Sequence, residues 1–80
     1  MYYESMKQRN GLITNTEEIK NAIKHFKNNE AGLSIASGLK PSMIERVKAG
    51  YVPSKVTRKL FSILLNKPES ILFPPIENAA

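Results

Sequence analysis

Two glycines, Gly38 and Gly50, bracket a short stretch of chain, and Lys40-Pro41 sits just after the first of them. Glycine readily takes the left-handed conformation that closes a helix. Proline suits a first helical position, where its missing N–H is not needed. This order of stop, start and stop leaves room for two short helices joined by a tight turn. The first runs over about Glu30 to Ser37 and buries Leu33, and with it Ala36. The second starts at Pro41, buries Ile44 and Val47 on one face, and ends at Gly50.

The flanking segments are also helical. Asn15 with Glu18 three residues later resembles a capping box for a helix over about Thr16 to Asn28. Its stripe is Ile19, Ala22, Ile23 and Phe26, and Asn28-Asn29 ends it and can cap the next helix. Pro53-Ser54 marks another start, with Ser54 as N-cap and Val56, Leu60, Ile63 and Leu64 as the core stripe. "KPESILF" permits one more turn, with Ile71 and Leu72 inward. No alternating strand pattern occurs. The expected fold is all-α, a small bundle of four to five short helices. Residues 15–73 form the domain, residues 1–14 a flexible N-terminal arm and residues 74–80 a loose tail.

Eighty residues make one small domain. With no Cys and a lone His25, a metal site is not expected, and no cofactor is called for. No apolar run is long enough to span a membrane, and the start lacks the apolar centre of a secretory signal, so a cytoplasmic location is expected. No nucleophile–base pair or phosphate-cradling glycine loop stands out, so an enzyme is not expected, nor is a small-molecule ligand.

Charge is the informative part of the composition. The formal net charge is +5, and the window from Lys40 to Lys59 holds six basic residues against Glu45 alone. The remaining six basic and six acidic residues cancel. The whole excess lies in one window, as on a polyanion-binding face, although a solvated surface has the same composition.

Leu33-Ser34, Gly38, Ile44, Val47 and Gly50, followed by Pro53-Ser54 and a Leu-rich helix through Leu60 and Leu64, resemble the Cro/repressor-type (lambda-repressor-like) helix-turn-helix family of phage and bacterial regulators. The resemblance runs from Leu33 to Phe73. It departs from the family's pattern at Glu30, where the family often has a phosphate-touching Gln, and at Lys48, where Glu is common. Phe61 and Leu65 are bulkier than usual, and Gly32 weakens its helix by up to about 1 kcal/mol relative to Ala.

The resemblance implies a sequence-specific regulator of double-stranded DNA, working as a homodimer by occupying an operator. A recognition helix starting at Pro41 points its N-terminal residues at base edges in the major groove. The base-contacting candidates are Lys40, Pro41, Ser42, Met43, Glu45 and Arg46. Lys40 reaches a phosphate or a guanine, or is a solvated lysine at a helix start. Pro41 offers apolar surface only. Ser42 bonds a base or phosphate, or faces solvent. Met43 touches a thymine methyl or joins the core. Glu45 accepts from cytosine or orients an arginine. Arg46 is the best candidate for a bidentate contact to guanine, against a salt bridge or open surface. Lys48, Ser54, Lys55, Thr57 and Arg58 are the phosphate candidates. Candidate dimer surfaces are the "ILFPPI" end and the Tyr2-Tyr3 arm. The alternative is a protein-binding module on the same fold, such as an antitoxin or an inhibitor of another regulator.

Overall fold

The computed structural model describes residues 7–78. Among them five α-helices follow one another: α1 Thr16–Lys24, α2 Asn29–Ser37, α3 Pro41–Lys48, α4 Lys55–Leu65 and α5 Glu69–Leu72, then a 3-10 turn Ile76–Asn78. The described residues contain no strand, so the fold is an all-α small bundle.

The local signals act where expected, with two adjustments. The Asn15 side chain accepts from the Glu18 N–H at 3.2 Å and caps α1. The helix stops at Lys24 rather than Asn28: Phe26 N–H already bonds Ile23 O, and Asn28 and Asn29 adopt positive φ (63° and 53°) where the chain turns into α2. Short polar side chains tolerate that region. Asn28 occupies the N-cap position of α2 without making a side-chain cap bond. Gly38 (φ 76°) closes α2, and Lys40 leads into α3 with Pro41 in its first turn. At the far end of α3, Gly50 N–H bonds Val47 O and Tyr51 N–H bonds Arg46 O, the pair of bonds that defines a Schellman cap.

The core is a continuous cluster of Ile19, Ile23, Leu33, Ile44, Val47, Phe61, Leu65, Leu72 and Phe73. Phe61 and Phe73 meet edge to face, with ring centroids 6.1 Å apart and planes at 77°. Here α4 departs from its expected face. Val56 is 73% exposed and Ile63 64% exposed, and Leu60 and Leu64 are half-buried. The buried positions are Arg58, Phe61 and Leu65. The helix carries two overlapping apolar stripes, and the one with Phe61 wins because it pairs with Phe73 and removes the larger ring from water. Ile71 is likewise 42% exposed, while its neighbours Leu72 and Phe73 turn inward. Ala36 is exposed.

The segments outside 15–73 are also tied down where they are described. Asn10 and Gly11 (φ 54° and 75°) form a tight turn in which Arg9 and Leu12 exchange backbone bonds of 3.1 and 2.9 Å. The chain then runs antiparallel to its own C-terminal part. Ile13 N–H bonds Pro74 O, Ile76 N–H bonds Gly11 O and Asn15 N–H bonds Leu72 O, at 2.8–3.0 Å. Pro74 serves as an acceptor and needs no N–H. Residues 11–15 and 72–76 are thus joined by backbone hydrogen bonds. The expectations for Tyr2 and Tyr3 lie outside the described residues.

Candidate nucleic-acid interface

Helices α2 and α3 are joined by the short turn Gly38–Lys40. The turn is stapled by side chains: Ser34 Oγ donates to Leu39 O at 2.7 Å, and Leu39 N–H donates to Ser37 Oγ at 3.1 Å. Ile44 and Val47 are fully buried, which fixes the rotation of α3 about its axis. Lys40, Pro41, Ser42, Glu45 and Arg46 consequently all lie on its exposed side. Ser42 and Arg46 are one turn apart, so they share a face. Met43 is half-buried and packs on the core cluster. Lys40, Ser42, Met43 and Arg46 together line an open depression with Gly38 and Leu39; Pro41 and Glu45 do not line it.

The second group of candidates is held by the loop before α4. Val52 and Pro53 are fully buried. Thr14 Oγ1 donates to Tyr51 O at 2.8 Å, and Arg58 Nη1 donates to Pro53 O at 2.8 Å. Anchored from both sides, the loop presents Ser54 and Lys55 at the surface, with Thr57 half-buried behind them. Ser54 takes the N-cap position, but its side chain makes no cap bond; its Oγ lies 3.4 Å from Thr57 Oγ1.

Arg58, another of the phosphate candidates, is turned inward. Its side chain is only 6% exposed, and its Nε lies 4.0 Å from the Glu69 carboxylate. A guanidinium turned inward in this way ties the loop to α4. A sequence signal for it existed: Arg58, Phe61 and Leu65 lie on one helical face, so taking Phe61 as the centre of the buried stripe places Arg58 inside.

Lys48 is also engaged. Its Nζ is 2.9 Å from Glu30 Oε1 and 3.4 Å from Glu45 Oε2, with the Lys48 and Glu30 side chains 28% and 25% exposed. The hydrogen bond from Lys48 holds the Glu30 carboxyl below its usual range, against an opposing effect of burial. The same bond, in the reverse sense, raises Lys48. No local pattern announces a contact between residues 18 apart in sequence.

Among the described residues, no group of three metal-ligating side chains converges. His25 Nδ1 lies 2.9 Å from the Asn21 carbonyl on its own helix. No described helix is long and apolar enough to cross a membrane. Comparison with known proteins adds no relative: no family model, no curated protein and no solved structure matches the chain.

Proposed function

We propose that this protein is a sequence-specific double-stranded-DNA-binding regulator of the Cro/repressor type that acts by occupying its operator. The observation that carries the reading is the exposed face of α3. Buried Ile44 and Val47 turn Lys40, Ser42 and Arg46 outward together on a helix that follows a glycine turn, with Lys40 and Ser42 at its start and Arg46 in its last turn. Side chains of these types bond base edges and phosphates. They lie within the sequence window that holds the net positive charge. Lys55, exposed beside Ser54 in the first turn of α4, supplies a further backbone contact. One such module reads few base pairs, so the working form on DNA is a homodimer with half-sites about 34 Å apart.

Selection from a random pool of double-stranded DNA at near-physiological salt tests this. The expected outcome is an enriched motif with two inverted halves. A pool that stays flat would remove sequence specificity, and a pool from which no DNA is retained would remove DNA binding altogether.

A second reading has its own observation. Val56 and Ile63, seven residues apart on α4, and Ile35 on α2 are all more than half exposed, with 73%, 64% and 84% accessibility. Val56 and Ile63 lie two turns apart on one face of α4, and an exposed apolar face of that kind supports a protein-binding module on the same fold. Tight capture of a protein partner, unaffected by Arg46→Ala, would support it.

A further inference from the structure

Lys48 lies at the C-terminal end of α3, between two carboxylates, one on α2 and one on α3. We propose that Lys48 acts on DNA indirectly, as the counter-charge that silences Glu30 and Glu45, and not as a ligand of a phosphate. The inference rests on the DNA-binding reading above and assigns a role within that same site.

The geometry argues for this division of labour. An ammonium has three donors, and here two of them have carboxylate partners, at 2.9 and 3.4 Å. Lys40 and Lys55, by contrast, are exposed. The three side chains of the cluster sum to one negative charge, and without Lys48 they would sum to two. Both carboxylates are placed to matter. Glu30 is in the first turn of α2, and Glu45 is three residues after Ser42 on the outer face of α3. A bare carboxylate within a Debye length of a phosphate backbone, about 8–10 Å at ordinary salt, repels it. A phosphate that took Lys48 for itself would leave Glu30 uncompensated beside it, so the exchange gains nothing. Lys48 also draws the Glu45 carboxylate toward the C-terminal end of α3, away from the end that carries Lys40 and Ser42. Lys48 is therefore a positioning residue.

The sign of a double-mutant cycle decides the matter. Affinity for the selected operator is measured across a salt series for the natural chain, Lys48→Met, the paired Glu30→Gln/Glu45→Gln variant and the triple variant. Each value is expressed per folded molecule from the active fraction. Methionine keeps the apolar stem and removes the charge. Lys48→Met is expected to weaken binding about tenfold in the natural background and less than about twofold where both Glu30→Gln and Glu45→Gln are present, a coupling of the size that contacting charges show. An equal loss in both backgrounds, with the salt slope shallower by about one each time, is the mark of a direct phosphate contact and overturns the proposal. So does a Lys48→Met loss that vanishes once the active fraction is corrected, because the role is then only structural. Absence of operator binding by the natural chain is seen before any variant is compared, and it overturns the DNA reading and this inference together.

Discussion

Arg58 donates from Nη1 to the carbonyl of Pro53 at 2.8 Å, inside the domain. A basic residue from the most basic window of the chain thus serves the fold, by closing the loop that presents Ser54 and Lys55. Arg58→Met should cost about 1–3 kcal/mol of stability, because a buried carbonyl loses its partner. Denaturant unfolding measures this. A change below about 0.5 kcal/mol, together with a shallower salt dependence of DNA binding, would return Arg58 to the phosphate contacts.

Gly32 lies in the interior of α2, where alanine would ordinarily add up to about 1 kcal/mol of helix stability. A Cβ at this position would run into the carbonyl of Lys27. Gly32→Ala is therefore expected to destabilise the protein, against propensity. A raised unfolding temperature would show that the turn between α1 and α2 gives way easily.

The rotation of α4 separates its apolar residues into two kinds. Phe61→Ala should cost about 3–5 kcal/mol through lost burial and a cavity against Phe73. Ile63→Ser, on the exposed side, should change stability by no more than about 0.5 kcal/mol. Reversed magnitudes in chemical unfolding would mean that Val56, Leu60, Ile63 and Leu64 are the true inner stripe.

The Glu30–Lys48 pair sets a pH dependence. Glu30 has a lowered pKa in the folded chain, so its contribution is present at neutral pH and is lost as pH falls through that lowered value, below the ordinary 4.5. Lys48 has a raised pKa, so its contribution is lost only as pH rises above the ordinary 10.5. Between these limits the pair adds a constant amount, about 0.2–1 kcal/mol for partners this accessible. Acid titration of stability should be shallower in Glu30→Gln than in the natural chain. Identical acid limbs would show that the pair adds nothing.

Arg46 and Lys55 should fail differently on DNA. Arg46→Ala is expected to lose about 1–3 kcal/mol of discrimination at one base pair. Lys55→Ala is expected to weaken all sequences about equally and to reduce the salt slope by about one. Competition binding with single-base operator variants separates the two. A uniform loss for Arg46→Ala would remove it as a base reader.

Much of this architecture is written locally. Asn15, Gly38, Pro41 and Gly50 act through bonds and backbone angles within a few residues, so the start of α1 and both ends of the α2–α3 turn follow from the chain alone, while the end of α1 at Lys24 does not. The inner faces of α1 and α3 follow too, because each offers one apolar stripe. What only the tertiary structure decided involves choices between locally equivalent options, or partners far apart in sequence. Helix α4 has two stripes, and the ring of Phe73 selects the one that carries Arg58 inward. Residues 9–15 gain their order by bonding residues 72–76. Lys48 meets Glu30 because the packing of α2 on α3 brings them within 2.9 Å. Hydrogen-bond caps are short-range and leave a signature in sequence. Packing and charge pairing are settled by which surfaces fill space together, and that is a property of the assembled domain.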